Sequence, residues 1–371
     1  MERSLQMVDL QGQYLRIKGE IDSAIQEVIA SSRFIRGPIA ETFNSELSEY
    51  LGIQKVIGCG NGTDALQIAL MALELQPGDE VIIPAFTYIA TAEVIALLGL
   101  TPVLVDVDPG TFNIDVALIE EAITDRTRCI MPVHLFGQGA DMTSLMKIAA
   151  KHGLFVIEDN AQSIGAQYEG TPLGGIGHIG TTSFFPAKNL GCFGDGGAIL
   201  TNDADLASKC YTIGNHGQKK KYHHSEVGIN SRLDAIQAAI LRVKLRHLDK
   251  YVQARQKVAA FYDSALEGDE RFTTPFRDER SDHVFHQYTL KINEIERAEL
   301  RAYLSRKGIP SMVYYPMPVH LQDAYKSDAY PKGSFPVSEE LCEKVISIPI
   351  HTELNEDDLR YICTTLREYQ S

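Results

Sequence analysis

Apolar residues recur along this chain in two rhythms that alternate over its first two-thirds. Short runs, almost wholly apolar, cover residues 80–84, 102–107, 129–135 and 154–159, and such runs read as strands covered on both faces of a parallel sheet. Between them, residues 65–75, 92–98, 115–123 and 142–152 read as helices. A strand leading into a glycine turn at 56–62 and a β-like run at 181–185 extend the series. This alternation predicts an α/β fold whose large domain is a mostly parallel sheet with helices on both faces.

After Arg232 the rhythm changes to one long helical stretch through about Leu266, with Leu233, Ile236, Ile240, Leu241, Val243, Leu245 and Leu248 as its apolar positions. A smaller α+β unit follows, with 286–292 as strand and 297–307 and 357–369 as helices. The division is expected near residue 250, giving a large domain over 1–250 and a small one over 251–371, with the amino-terminal segment packing on the small domain. Two domains also suit the length, since single cores stop growing at about 250–300 residues.

Composition narrows the class. A hydrophobic content of 44% and a charged content of 23% are those of a soluble globular protein. Lys and Arg number 35 against 49 Asp and Glu, a net charge of −14, which argues against nucleic-acid binding. An anionic substrate would need local positive charge or helix ends working against that field. The six cysteines, at 59, 129, 192, 210, 342 and 363, form no C-x-x-C pair and read as reduced structural thiols. Residues 1–14 lack the apolar core of a signal peptide, and no run of about 18 apolar residues suggests a membrane span, so the cytoplasm is expected.

The candidate chemistry centres on Lys188. It follows the β-like run and precedes a glycine-rich turn at 191–197, so it should lie buried at a sheet edge. Burial disfavours the ammonium and makes a usable amine nucleophile, as a Schiff base requires. Asp159 ends an apolar strand, and ligands of open α/β sheets bind outside the carboxyl ends of strands. A carboxylate there suits the pyridine nitrogen of pyridoxal phosphate, with Gln162 in reach of the ring hydroxyl. Gly60-Asn61-Gly62-Thr63-Asp64 opens a helix, whose free amides and positive end favour a phosphate.

Two patterns point elsewhere. Residues 175–180 match G-x-G-x-x-G, but a β-like run follows them rather than a helix, so they read as a loop and not as a dinucleotide site. The segment 216–224 carries three histidines and three lysines. Its adjacent histidines diverge and no acid or cysteine completes a ligand set, so no metal is expected. A solvated loop and a patch for a nucleotide diphosphate both remain open for it.

Taken in order, these motifs resemble the fold-type-I, pyridoxal-phosphate-dependent sugar aminotransferases of the DegT/DnrJ/EryC1/StrS group. The resemblance runs from Asp9-Leu10 through 60–66, 84–88, Glu158-Asp159-x-x-Gln162, Ser183-Phe184-Phe185-Pro186-x-Lys188 and Gly228-x-Asn230-x-Arg232-Leu233-Asp234 to Tyr315-Pro316. It implies that Lys188 is the catalytic lysine that bonds the cofactor. It further implies Asp159 on the pyridine nitrogen, Gln162 on the ring hydroxyl, Ser183 with the Gly62 and Thr63 amides on the phosphate, and Phe86 stacked on the ring. Asn230 would reach the phosphate in a neighbouring subunit's site, implying a homodimer with shared sites.

Ser32, Phe34, Ala187, Arg232, Tyr314, Tyr315 and His320 are implied as substrate contacts. Arg232 has the planar fork that binds a carboxylate or phosphate bidentately. The segments 222–224 and 232–234 look most like 3-aminotransferases of UDP-linked 3-oxo-hexuronates. That subgroup typically carries Tyr, Ser and His where this chain has Phe34, Ala187 and Tyr314.

The implied reaction takes the amino group of L-glutamate, releases 2-oxoglutarate, and passes the group through pyridoxamine phosphate to a nucleotide-linked keto-sugar. A 6-deoxyhexose 3-aminotransferase and a sugar 4-aminotransferase are the alternatives. A regulatory protein that binds cofactor without turnover is the alternative of another class. A related dehydratase subgroup carries histidine in place of the lysine, which Lys188 argues against.

Overall fold

The structure is a computed structural model and describes residues 5–370, so the first four residues of the stretch 1–14 lie outside it. Seven strands make the central sheet: β1 Lys55–Cys59, β2 Glu80–Pro84, β3 Thr101–Val105, β4 Thr127–Ile130, β5 Phe155–Asp159, β6 Ile179–Ser183 and β7 Gly197–Thr201. Their order is β1-β7-β6-β5-β4-β2-β3, and β7 runs antiparallel to both its neighbours while the other pairs are parallel.

Alternation along the strands separates two cores. Val81, Ile83, Ile157 and Ile199 pack with helices Gly62–Ala72 and Ala90–Leu97 on one face. Their sequence neighbours Ile82 and Val156 pack with helix Met142–His152 on the other, where Ala198 and Leu200 join Phe43 and Leu241. All five residues of β2 are buried, as a strand covered on both faces must be.

Three expected elements differ. The long helical stretch is two helices, Ala235–Leu245 and Leu248–Leu266. At the break the His247 amide turns back to the Lys244 carbonyl at 2.9 Å, and Arg246 and His247 both bind Glu20. The run 129–135 stops being a strand after Ile130, because the chain then folds over the end of β5. There the His134 amide donates to the Asp159 carbonyl, and Phe136 and Gly137 take positive φ. Residues 115–123 form a 3₁₀ turn, Val116–Leu118, and one helical turn, Ile119–Ala122.

The G-x-G-x-x-G stretch enters β6 as a loop, and amides at its start serve a carboxylate of the protein itself. The Glu158 carboxylate, wholly buried, accepts the amides of Gly174, Ile176 and Gly177 at 2.8, 2.7 and 2.6 Å. A Cβ on Gly180 would lie 2.1 Å from the Gly174 carbonyl oxygen, which explains that glycine by close backbone approach.

Beyond residue 250, Phe272–Thr273, Tyr288–Ile292 and Val345–Ile348 form an antiparallel sheet. It packs with helices Leu248–Leu266, Arg297–Arg306 and Glu356–Glu368 around a core of its own, against which Leu5 also rests. All six cysteines are buried and unpaired. Among the described residues no helix is long and apolar enough to cross a membrane.

Candidate active site

A cavity of about 520 Å³ lies beyond the carboxyl end of β5. Its wall brings together residues far apart in sequence, among them Gly62, Thr63, Asp159, Gln162, Ser183, Ala187, Lys188, Tyr314 and Tyr315. Those from 62 to 188 are delivered by a strand of the central sheet or by the loop that leaves one, and Tyr314 and Tyr315 by the irregular segment that follows helix Arg297–Arg306.

Gly62 and Thr63 begin the helix Gly62–Ala72, which Asn61 caps by accepting the Asp64 amide at 2.8 Å. The helix start abuts β6: a Cβ on Gly62 would meet the Ser183 Cβ at 2.8 Å, and Ser183 Oγ lies 3.3 Å from the same point. The free amides, the positive helix end and a hydroxyl therefore converge on one spot, the chemistry that receives a phosphate.

Asp159 is nearly buried, and burial raises its carboxyl above the ordinary range. The Ala161 amide, at 3.1 Å, and the Lys188 charge act the other way, favouring the carboxylate. Thr91 Oγ1 donates to its second oxygen at 3.3 Å. Such a carboxylate, held and short of water, suits a ring nitrogen that becomes cationic.

Lys188 sits in a tight turn, its amide donating to the Phe185 carbonyl at 2.8 Å, and it is part-buried with its side chain on the cavity. Burial lowers its ammonium to about 8, against the pull of the Asp159 carboxylate. Roughly a tenth of the amine is then free at pH 7 and about half at pH 8, where an ordinary lysine is almost wholly protonated, and nucleophile and proton carrier both draw on that fraction. Gln162 bridges two walls: its Oε1 accepts the Phe136 amide at 2.7 Å and its Nε2 donates to the Tyr315 hydroxyl at 3.1 Å.

Not every expected residue is here. Phe86 is 1% exposed and packs edge-on against Phe112 and Phe136, so it lies beneath the wall as core. Tyr88, two residues on, is 57% exposed, lines the cavity and leans on Tyr315 at 6.1 Å between ring centroids. Both lie past the end of β2, in an irregular stretch where no strand period applies, and sequence alone offered no means of ranking the two aromatics.

His320 is wholly buried, with Nε2 on Glu339 at 3.0 Å and its ring against Phe335. It braces its own loop through Glu339 and Phe335 and is not among the residues that line the cavity. Ser32, Phe34 and Asn230 are exposed outside this cavity, and Arg232 lines a different, small cleft beside Arg36 and Tyr211. Asp195, His286 and Gln287 line the cavity without having been singled out; nothing local in the sequence marks them.

Comparison with known proteins agrees with this geometry. The model of the DegT/DnrJ/EryC1/StrS aminotransferase family matches residues 15–367. A Geobacillus stearothermophilus protein named a pleiotropic regulatory protein is 49% identical over 98% of both chains. The UDP-2-acetamido-2-deoxy-3-oxo-D-glucuronate aminotransferase of Pseudomonas aeruginosa is 46% identical over 98% of this chain and 99% of its own. The structure of S. venezuelae DesV in complex with a ketimine intermediate superposes with a TM-score of 0.97 at 40% identity, covering 100% of both chains. A cavity that joins a free lysine amine, a buried carboxylate and a phosphate cradle on this sheet places the chain in the DegT/DnrJ/EryC1/StrS aminotransferase family, as a pyridoxal-phosphate-dependent aminotransferase.

Proposed function

We propose that this enzyme transfers the amino group of L-glutamate to C3 of a nucleotide-linked 3-oxo-sugar of the UDP-2-acetamido-2-deoxy-3-oxo-glucuronate type, for amino-sugar and surface-polysaccharide synthesis in the cytoplasm. The observation that carries this reading is Lys188, an amine lowered to about 8, facing Asp159 in a cavity whose nearly full-length P. aeruginosa relative bears that substrate in its name. A regulatory role without turnover, which the G. stearothermophilus name suggests for that protein, gives no account of a mobile amine held in such a place.

The Gly62 and Thr63 amides with Ser183 Oγ would hold the cofactor's phosphate, Asp159 its pyridine nitrogen and Gln162 its ring hydroxyl. Tyr88 takes the ring-facing role in place of Phe86. When bound, pyridoxal phosphate supplies a cationic ring that draws charge from the carbon losing its proton. Lys188 Nζ takes the proton from the α-carbon of the amino donor and, in the second half-reaction, returns one to the amino-bearing carbon of the sugar. Asp159, whose carboxylate form the Ala161 amide and the Lys188 charge favour against its burial, would hold the ring nitrogen's proton. Tyr314 and Ala187 shape the opening through which both substrates enter.

The active unit is a homodimer in this reading. Among the described residues of one chain, Lys188 is the only Lys or Arg that lines the cavity, whereas a diphosphate and a carboxylate need several cations. Asn230, Arg232, Ser32 and Phe34 lie on faces from which a second copy could serve the first copy's cavity. The division into domains near residue 250 belongs to the same proposal, its support being the separate core formed by residues 258–369.

A neutral 6-deoxyhexose nucleotide is the second reading. The exposed Asp195 carboxylate on the cavity wall, and Phe34, Ala187 and Tyr314 where hexuronate enzymes typically carry polar residues, favour a sugar without a carboxylate.

The test is the visible spectrum of the purified protein with pyridoxal phosphate, on adding L-glutamate and then each keto-sugar nucleotide. The absorbance should shift with glutamate and return with the UDP-3-oxo-hexuronate. Return with only a dTDP-linked sugar would move the assignment to the second reading, and a spectrum unmoved by any amino donor would remove transamination.

A further inference from the structure

Seven buried side-chain polar atoms have no hydrogen-bond partner among the described residues, and only one of them, His286 Nδ1, belongs to a residue that lines the cavity. Buried polar atoms are nearly always paired, yet neither nitrogen of this ring has a partner among the described residues: Nδ1 is closed off from solvent, which leaves Nε2 as the nitrogen open to something that enters the cavity. We propose that His286 is a substrate-contacting residue, whose imidazole hydrogen-bonds a hydroxyl of the sugar and so acts on the sugar half of the reaction. The inference rests on the reading above that the second substrate is a nucleotide-linked sugar.

The ring's place is fixed from three sides. The Val284 amide donates to the Gly137 carbonyl at 2.8 Å, and Asn189, the neighbour of Lys188, donates through Nδ2 to the Val284 carbonyl at 2.9 Å. From behind, the buried Arg255 donates to the carbonyls of Phe285 and His286 at 3.0 and 3.3 Å. A Cβ on Gly137 would meet the Phe285 and His286 nitrogens at 2.7 and 3.0 Å, so that glycine permits the contact. His286 itself is 6% exposed. With the backbone clamped on either side of it, the ring has little freedom to turn toward bulk water for a partner.

The electrostatics choose the ligand. Burial, then the Lys188 and Arg255 charges, hold the His286 ring well below the ordinary histidine range, so it is neutral during turnover. A neutral imidazole offers one N–H and one lone pair. That pairing matches a hydroxyl, which both donates and accepts. A carboxylate or phosphate, which only accepts, would call for a cation. The amino donor carries carboxylates and an amine, whereas the sugar carries hydroxyls, so His286 distinguishes the two half-reactions.

The experiment uses enzyme loaded with pyridoxal phosphate and the variants His286→Phe, which keeps the ring's bulk, and His286→Gln, which restores a polar atom near Nε2. Each half-reaction is followed in single turnovers, and binding of the amino-sugar nucleotide product is measured by calorimetry. For His286→Phe the sugar half should lose about ten- to a hundredfold in kcat/KM, the range expected for an unmet buried hydrogen bond. Product affinity should fall in parallel, the glutamate half should lose at least about tenfold less, and His286→Gln should recover part of the loss.

Equal losses in both halves, or unchanged product affinity with lowered thermal stability, would make His286 structural and overturn the inference. Full activity of His286→Phe would overturn it too. A wild-type enzyme that reacts with glutamate yet binds no nucleotide sugar would instead overturn the substrate reading.

Discussion

Two lysines, one fully buried and one part-buried on a cavity, separate what a perturbed pKa reports from what a site requires. Lys188 and Lys244 are both lowered to about 8, and in both burial is the leading cause. Lys244, on helix Ala235–Leu245, is 2% exposed, donates to the Gly191 carbonyl at 2.7 Å and lies over the Phe193 ring at 5.0 Å. Its amine is used up in pinning the turn that follows Lys188. Lys188 has a carboxylate across an open cavity in place of a carbonyl against its amine. Desolvation makes both amines weakly basic, but only space for a reactant makes one of them catalytic.

Breaking the pair at Lys188 has the largest expected effect. Lys188→Ala should lower turnover by about 10³-fold or more, within the range for loss of general acid–base and nucleophilic roles, while the thermal melt stays close to that of the parent. Turnover within tenfold of the parent would remove Lys188 from the mechanism. Lys244→Met should leave turnover within about tenfold, because the cavity keeps its groups; a loss as large as that of Lys188→Ala would erase the distinction.

Asp159→Asn comes next, with an expected loss of about 10²-fold in turnover and an unchanged far-ultraviolet spectrum, since the amide keeps the shape of the carboxylate without its charge. Tyr88→Ala should weaken cofactor binding about tenfold by equilibrium titration. Phe86→Ala should act on stability, lowering the melting temperature through a core cavity.

The smallest effect sharpens the comparison through pH. A lysine held near 8 when folded and near 10.5 when unfolded is neutral in the native state and charged in the unfolded state between those values. The unfolded state then binds the extra proton, so the contribution of Lys244 to unfolding free energy rises with pH from about 8 to about 10.5 and is flat below about 8. The difference in stability between parent and Lys244→Met, measured by denaturant titration across that range, should carry this slope. A difference independent of pH would mean that Lys244 keeps its charge in the fold.

Much of this was legible in the chain. The strand 80–84 and the helix 142–152 appear with the limits their apolar rhythm predicts, because a segment buried on two faces, or on one stripe, has few other ways to hide its side chains. Strand β7 was not legible. It leaves a glycine turn and runs antiparallel between β6 and β1, an arrangement set by pairing partners rather than by its own five residues. Gly175, Gly177 and Gly180 fitted a nucleotide motif in letters, and only the Glu158 carboxylate seated on that loop shows what its amides bind.

The sequence by itself determined the α/β class and the order of the motifs, since these depend on local rhythm; residue type at strand ends pointed to Lys188 and Asp159, and the family resemblance to Gln162 and Ser183, all four of which line the one cavity. Tertiary structure alone decided that Tyr88 rather than Phe86 faces the cavity, that His320 is a buried brace, and that His286 arrives beside Lys188 from about a hundred residues away along the chain. It also decided that Lys244 spends its amine on a carbonyl. The reason is that burial and partnership are properties of the neighbours a side chain meets after folding, and those neighbours come from parts of the chain that no local pattern connects.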